Sequence, residues 1–149
     1  VDSYVRKAKA TGTQIKDWLE KELNNVFAKN AAERFGGWVV KFKGMEITFN
    51  AFGEKGKRVQ SVMIGDMPLD PERLYTISAC ERDGDPADML CRIKGVKDAV
   101  NTPFTLHEVM RSYLKANSPV TPTPPMAAKI LDGPQSLLTQ VTGVNYSFR

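Results

Sequence analysis

The residues best suited to chemistry lie in one short charged stretch at positions 81–85. It reads Glu-Arg-Asp-Gly-Asp and follows an alternating run that predicts a β-strand. Side chains on such a loop can converge on a ligand while the strand holds them in place. Carboxylates accept hydrogen bonds from hydroxyl groups, and arginine pairs with anions. The candidate substrate-binding residues are therefore Glu81, Arg82, Asp83, Gly84 and Asp85.

Asp85 also has a structural interpretation, as the N-cap of a helix. Pro86 would then occupy the first helical position, and Asp88 would lie three residues beyond the cap, near the positive end of the helix dipole. The pattern thus predicts a helix that starts at Asp85. Capping and ligand binding are compatible, because a capping carboxylate can still accept a hydrogen bond from a sugar hydroxyl.

No other pattern in the chain is typical of a hydrolytic centre, which needs a metal-activated water or a nucleophile with a partnered base. His107 is the single histidine, and we expect it to be exposed or locally hydrogen-bonded. Cys80 and Cys91 lack the spacing of a zinc or redox motif. We interpret them as two small buried thiols, with a Cys80–Cys91 disulfide as the alternative.

Composition places the chain among ordinary globular domains. It has 149 residues, 42% of them hydrophobic and 26% charged, and no apolar run is long enough to cross a bilayer. The net charge is +4, but the basic residues that cluster fall in three separate segments, at 6–9, 55–58 and 92–97, without interleaved aromatics. This distribution favours a solvated surface over a nucleic-acid site. Because the first residue is Val1 and no signal segment precedes the first strand, we expect a processed chain or a fragment.

Two capping boxes predict the helices that precede and follow the charged stretch at 81–85. Thr11 and Gln14 open a helix that should end near Ala28, and Thr105 and Glu108 open one that should end near Asn117. Each helix carries apolar residues at helical spacing that we expect to be buried: Ile15, Trp18, Leu19, Leu23, Val26 and Phe27 in the first, and Leu106, Val109, Met110, Tyr113 and Leu114 in the second. Glu20 lies outside the first stripe.

Residues that alternate between apolar and polar predict the strands. The predicted strands are Tyr4–Ala10, Trp38–Phe42, Met45–Phe49, Val59–Ile64 and Tyr75–Cys80, and Gly65-Asp66 suits a tight hairpin turn. Short connections favour antiparallel neighbours. The fold class is therefore α+β, with a mixed or mainly antiparallel four- to five-stranded sheet packed by two main helices. A Pro-rich C-terminal strap follows, containing Pro119, Pro122, Pro124 and Pro125.

This order of elements resembles the C-terminal domain of the 5'-nucleotidase family of metallophosphatases. The resemblance covers roughly Tyr4–Asp85 and rests on Thr11-Gly12, Trp18-Leu19-Glu20, Gly36-Gly37, Gly44, Gly65, Pro68-Leu69 and Tyr75. It implies that residues 1–149 are a substrate-recognition domain, truncated at its N-terminus, with the metallophosphoesterase domain absent.

The resemblance also implies a function for the full-length protein. That protein would be an exported two-metal phosphoester hydrolase, periplasmic or extracellular, and this domain would recognise the nucleoside or equivalent part of the substrate. The implied partners are a small nucleotide-like phosphoester and the protein's own N-terminal domain, with no nucleic acid and no membrane span. No cofactor is expected in this chain. Two divalent metal ions are expected in the absent domain, so the chain alone should be inactive.

The charged loop matches this family in part. The family loop commonly reads Gly-Gly-Asp-Gly, with a stacking aromatic residue a few positions earlier. Here Gly84 and Asp85 match, Asp83 and Pro86 replace the outer glycines, and Ala79 or a neighbour stands where the aromatic residue would be.

Two alternatives remain open at this point. Gly36-Gly37 and the 56–59 segment are also similar to the sulfur-oxidation branch of the family, dimanganese enzymes that hydrolyse protein-bound sulfate thioesters. A non-catalytic binding module would account for the missing aromatic residues. Metal ligands of the Asp-x-His and Asn-His type upstream of Val1 would favour a hydrolase over such a module.

Overall fold

The computed structural model describes residues 2–35, 42–80, 82–120 and 127–133. Within these ranges the helices are α1 (Gly12–Phe27) and α2 (Leu106–Asn117), with a short 3-10 helix at Ala31–Glu33. The strands are β1 (Tyr4–Thr11), β2 (Met45–Phe49), β3 (Val59–Ile64), β4 (Met67–Pro68), β5 (Leu74–Cys80), β6 (Met89–Leu90), β7 (Ile93–Lys94), β8 (Lys97–Thr105) and β9 (Ala128–Ile130). The chain forms two compact units, Val1–Trp18 with Asp70–Thr123 and Leu19–Leu69 with Pro124–Arg149.

The first unit is built on an antiparallel sheet of three strands in the order β5-β1-β8. The register of β1 with β5 runs without interruption from Val5 opposite Cys80 to Thr11 opposite Leu74. Alternation along β1 buries Ala8 and Ala10 on one face. A two-stranded hairpin, β6-β7, adds further apolar residues to this unit. The buried apolar residues here are Ala8, Ala10, Ile15, Trp18, Leu90, Ile93 and Val96.

The second unit is built on a four-stranded sheet in the order β4-β3-β2-β9. β9 pairs with β2 in parallel, and the other pairs are antiparallel. The predicted hairpin turn at Gly65-Asp66 joins β3 to β4, with Gly65 at φ 61° as such a turn requires. The buried apolar residues of this unit are Leu19, Leu23, Ala28, Ile47, Phe49, Ala51, Val59, Val62 and Ile130.

Both capping boxes form as predicted. The backbone N–H of Thr11 donates to Oε1 of Gln14 at 2.8 Å, and the N–H of Gln14 donates to Oγ1 of Thr11 at 3.2 Å. The N–H of Thr105 donates to Oε2 of Glu108 at 2.8 Å, and the N–H of Glu108 donates to Oγ1 of Thr105 at 3.3 Å. The sequence therefore located the start of each helix within one residue.

Gly12 is fixed by close packing at the start of α1. A Cβ at this position would lie 2.1 Å from the backbone carbonyl oxygen of Asp70. Because Gly12 has no side chain, the backbone of Asp70–Pro71 can pack directly against the start of α1. The N–H of Gly12 donates to the carbonyl of Arg73 at 3.1 Å. This contact holds the segment that leads into β5 against the end of β1.

The α+β class is confirmed, with the strands of the described residues divided among sheets of three, four and two strands. The predicted strand Trp38–Phe42 falls mostly outside the described residues, and Pro122, Pro124 and Pro125 lie outside them entirely. None of the described helices is both long and apolar enough to cross a lipid bilayer.

The predicted burial of α2 is wrong. Leu106, Val109, Met110, Tyr113 and Leu114 are between 42% and 53% exposed, and no residue of this helix is buried. Helical spacing predicts that these side chains share one face, but not that another element covers it. In the described part of the first unit, no element covers this face of α2. In α1, by contrast, Ile15, Trp18, Leu19 and Leu23 are buried as predicted, and Val26 and Phe27 are half-buried.

Candidate functional site

The predicted site residues follow directly from β5 and form a tight turn. The backbone N–H of Asp85 donates to the carbonyl of Arg82 at 3.2 Å, which closes a β-turn over residues 82–85. Gly84 occupies its third position at φ 84°, a left-handed conformation that glycine adopts without strain. Glu81 lies outside the described residues. The turn places Arg82, Asp83 and Asp85 together after the strand.

The predicted helix at Asp85 does not form. The N–H of Met89 donates to the carbonyl of Pro86 at 3.0 Å, so a second turn follows the first and leads directly into β6. The chain enters the β6-β7 hairpin because Leu90 and Ile93 are drawn into the core, where they are 2% and 5% exposed. The helix-cap interpretation of Asp85 is therefore wrong, and its carboxylate is not used for capping.

Two hydrogen bonds hold the segment that follows the 82–85 turn. Nη2 of Arg6, on β1, donates to the carbonyl of Ala87 at 3.0 Å. The N–H of Val96 donates to the carbonyl of Asp88 at 2.9 Å. Arg82 and Asp83 are exposed, Asp85 is half-buried, and the space beside Gly84 is open. The 82–85 turn thus presents a guanidinium and two carboxylates to solvent from a fixed support.

This arrangement is suited to binding. Carboxylate oxygens can accept hydrogen bonds from hydroxyl groups, and the guanidinium can pair with an anionic group. Among the described residues, no group of three or more His, Cys, Asp or Glu side chains is placed to hold a metal ion. The 82–85 turn therefore carries side chains suited to hydroxyl and anionic groups of a ligand.

His107 is exposed, as the sequence predicts, and its hydrogen-bond partner is Asp2, at the other end of the first unit's sequence. Its Nδ1 lies 2.8 Å from Oδ1 of Asp2, and its backbone N–H donates to the same oxygen at 3.3 Å. Loss of water around Asp2 raises the pKa of its carboxyl, but hydrogen bonds from Thr105 and His107 outweigh this effect and hold the pKa below its ordinary value. This pair fastens the start of the chain to the first turn of α2.

Cys91 differs from the buried thiol that the sequence predicts. It is half-buried at the turn of the β6-β7 hairpin, where Cys91 and Arg92 have φ values of 51° and 68°. Two consecutive left-handed residues are typical of a two-residue hairpin turn. The side chain of Cys80 lies outside the description, so the predicted alternative of a disulfide remains untested.

A buried polar cluster in the second unit was missed by sequence reasoning. Glu20, predicted to lie outside the apolar stripe, is only 8% exposed. Its Oε2 accepts the N–H of Arg58 at 3.0 Å and its Oε1 accepts the N–H of Val59 at 2.7 Å. Arg58 is 2% exposed, and its guanidinium donates to Asn24 Oδ1 at 3.0 Å and to the carbonyls of Ala51 and Phe27 at 3.2 and 3.3 Å. The cluster joins α1 to the start of β3.

A pocket of ≈ 460 Å³ lies beside this cluster, within the second unit. Nζ of Lys55 and Oε2 of Glu33 form an ion pair of 3.1 Å at its rim. The hydrogen bond from Lys55, and then the one from Asn24, lower the pKa of the Glu33 carboxyl. The residues that line the pocket are Glu20, Lys21, Asn24, Asn25, Glu33, Lys55 and Gly56. None of these was predicted as a site residue.

Comparison with known proteins identifies one matching family model. The model described as "5'-nucleotidase, C-terminal domain" matches residues 1–80. The match ends at Cys80, so the correspondence of Gly84 and Asp85 to the family loop stays a prediction. No curated protein matches the chain.

Two of the similar solved structures illustrate the likeness. The sulfate thiohydrolase SoxB of Thermus thermophilus, solved in complex with glycerol, is 26% identical with a TM-score of 0.71, and the match covers 99% of this chain and 24% of that one. A 5'-nucleotidase precursor, also from Thermus thermophilus, is 20% identical with a TM-score of 0.61, over 89% of this chain and 26% of that one. The second likeness shows the fold alone. This chain spans about a quarter of the length of each structure.

Proposed function

The chain belongs to the 5'-nucleotidase C-terminal domain family, and on that basis we propose that residues 1–149 form the substrate-recognition domain of an exported two-metal 5'-nucleotidase-like phosphoester hydrolase. The observation that carries the proposal is the family match over β1 to β5, after which the 82–85 turn presents charged side chains to solvent. In this proposal the domain is truncated at its N-terminus and the metallophosphoesterase domain precedes it.

Each loop residue has a proposed role in binding. Asp85 accepts a hydrogen bond from a substrate hydroxyl, and Arg82 pairs with an anionic group. Gly84 sets the turn, and Glu81 and Asp83 contribute further acceptors. In the full-length protein, the two divalent metal ions of the N-terminal domain would supply the activated water. The enzyme would act in the periplasm or outside the cell, on a nucleotide-like phosphoester.

The base-stacking part of a nucleotide site is the least well matched. The resemblance implies that Ala79 or a neighbour on β5 stands where the family carries an aromatic residue. Stacking contributes roughly 1–3 kcal/mol per base in single-stranded nucleic-acid sites. We therefore propose recognition of the sugar or an equivalent hydroxyl-bearing group, with weak selection for the base.

Steady-state kinetics of Asp85→Ala in the full-length enzyme test the proposal. Losing a hydrogen bond to a charged group costs about 1.5–3 kcal/mol, so kcat/KM for a nucleoside monophosphate should fall roughly 10- to 100-fold. Asp66→Ala is a control, because Asp66, like Asp85, is an aspartate in a turn directly after a left-handed glycine, and its side chain is exposed. If a folded Asp85→Ala enzyme has the kinetics of the control, the proposed role of Asp85 is wrong.

The 149-residue chain on its own should release no phosphate when Mn²⁺ or Zn²⁺ is added. Clear turnover by the purified chain would contradict the proposed location of the metal ions in another domain.

A second candidate function is hydrolysis of a protein-bound sulfate thioester. It is favoured by the likeness to the sulfate thiohydrolase, which has the higher identity and TM-score of the two structures and covers nearly the whole chain. Sulfate release from a protein cysteine derivative, measured beside phosphate release from nucleoside monophosphates, separates the two hydrolases. A non-catalytic module is the third candidate, and an upstream sequence without metal ligands would favour it.

A further inference from the structure

The open face of the β5-β1-β8 sheet gathers lysines that are far apart in the sequence. Ala8 and Ala10 are buried on one side of β1, whereas Lys7 is exposed and Lys9 is half-buried on the other. Because side chains alternate along a strand, Lys7 and Lys9 share this second side. The sequence assigned Lys97 to a different basic segment, but the antiparallel pairing of β8 with β1 places it directly opposite Lys9.

The cross-strand partners define the rest of this surface. On β5, Thr76 is opposite Lys9 and Ser78 is opposite Lys7. Nζ of Lys9 donates to Oγ1 of Thr76 at 2.6 Å, which confirms that these side chains share one face. We call the surface formed by Lys7, Lys9, Lys97, Thr76 and Ser78 the lysine face.

The positive charge of the lysine face is not balanced within the described residues. Like charges directly opposite each other in an antiparallel pair are destabilising, and Lys9 and Lys97 are such a pair. The β5 and β8 partners of Lys7 and Lys9 include no carboxylate. None of the three lysines takes part in an ion pair among the described residues. A negatively charged occupant would remove this repulsion.

We propose that the lysine face docks an acidic segment of another polypeptide. Small ligands are held in concave pockets, whereas a sheet presents its lysines and hydroxyls across three adjacent strands. Leu74 and Val100 are each 46% exposed on the same face, opposite Thr11 and Lys7, and supply the apolar contacts of a protein interface. Tyr4 and Tyr75 belong to the opposite side of the sheet, and the paired positions on the side of Lys7 and Lys9 carry no aromatic residue on which nucleic-acid bases could stack. This proposal is independent of the role proposed for the 82–85 turn.

Fluorescence anisotropy with labelled poly-L-glutamate tests the lysine face in the 149-residue chain. The test variant is Lys7→Gln/Lys9→Gln/Lys97→Gln. Each exposed ion pair changes an affinity by a factor of roughly 1.5 to 5, so the triple variant should bind about tenfold more weakly. The difference should shrink as salt is raised to about 0.15 M, where the Debye length is about 8 Å.

The matched control removes three exposed lysines elsewhere, as Lys16→Gln/Lys29→Gln/Lys115→Gln. It lowers the net charge equally and should bind poly-L-glutamate within about twofold of the parent chain. Equal loss in both triple variants would show a non-specific charge effect and overturn the proposal, as would undetectable binding by the parent chain. The proposal would also be overturned, in favour of nucleic acid, if the parent chain bound labelled duplex DNA more tightly than poly-L-glutamate and only the test variant lost that binding. If circular dichroism shows that the triple test variant is unfolded, the single variants Lys97→Gln and Lys115→Gln are compared in the same assay. The proposal then requires that Lys97→Gln weakens binding of poly-L-glutamate more than Lys115→Gln does.

Discussion

Replacing Glu20 with alanine removes the central acceptor of the buried polar cluster. Both of its carboxylate oxygens accept backbone N–H groups, from Arg58 at 3.0 Å and from Val59 at 2.7 Å. With 8% of Glu20 exposed, water has little access to these donors. Alanine would leave two buried N–H groups without an acceptor.

The expected loss of stability follows from these two bonds. A buried donor left unsatisfied costs about 1–3 kcal/mol, so Glu20→Ala should lower the free energy of unfolding by roughly 2–6 kcal/mol. Glu20→Gln keeps one acceptor oxygen and should lose about half as much. With a urea m-value of about 2 kcal/mol/M, the midpoint of Glu20→Ala should fall by about 1–3 M.

Urea unfolding of the 149-residue chain measures this effect, with Asp17→Ala as the control. Asp17 is an exposed carboxylate on the same helix, and its loss should change the free energy of unfolding by no more than about 0.5 kcal/mol. If Glu20→Ala has the same midpoint as Asp17→Ala, the two hydrogen bonds of the Glu20 carboxylate do not hold α1 to β3.

Three further predictions concern packing and ionisation. Gly12→Ala should destabilise the chain by about 1–3 kcal/mol or more, because the new Cβ would lie 2.1 Å from the Asp70 carbonyl oxygen; an unchanged melting temperature would contradict this. Leu114→Ala should cost less than about 1 kcal/mol and Leu23→Ala about 2–5 kcal/mol, since these leucines are 43% and 3% exposed; equal losses in urea unfolding would mean that α2 is covered. Asp2 has a lowered pKa, so it stabilises the fold above its unfolded pKa, and this contribution is lost as the pH falls through the lowered value; an NMR titration midpoint at or above 3.8 would refute the shift.

Local signals in the sequence were sufficient for both α-helices and for four of the nine strands in the described residues. The capping boxes at Thr11 and Thr105 located both helix starts, because each depends on side chains within one turn. Alternation located β1, β2, β3 and β5, because a half-buried strand shows its period directly. These features need no knowledge of distant parts of the chain.

Features that depend on distant partners could not be predicted in the same way. Glu20 appears as an ordinary exposed helix residue until the start of β3, 38 positions away, supplies its hydrogen bonds. The apolar spacing of α2 is real, yet its residues are exposed because burial requires a covering element that periodicity cannot reveal.

The candidate site shows the same division. The sequence placed the charged residues after β5, which the structure confirms, but it predicted a helix at Asp85 where two turns form. The deciding contacts lie further along, where Leu90 and Ile93 draw the chain into a hairpin. The lysine face was missed because its members become neighbours only when β8 pairs with β1.

The most direct test of the proposed substrate recognition compares two substrates with full-length Asp85→Ala. One is a nucleoside 5'-monophosphate, and the other is p-nitrophenyl phosphate, which offers a phosphoester but no sugar hydroxyl. If the domain recognises the non-phosphate part of the substrate, kcat/KM should fall roughly 10- to 100-fold for the nucleotide and stay unchanged for p-nitrophenyl phosphate. Equal losses for both substrates, or no loss for either, would contradict the proposal.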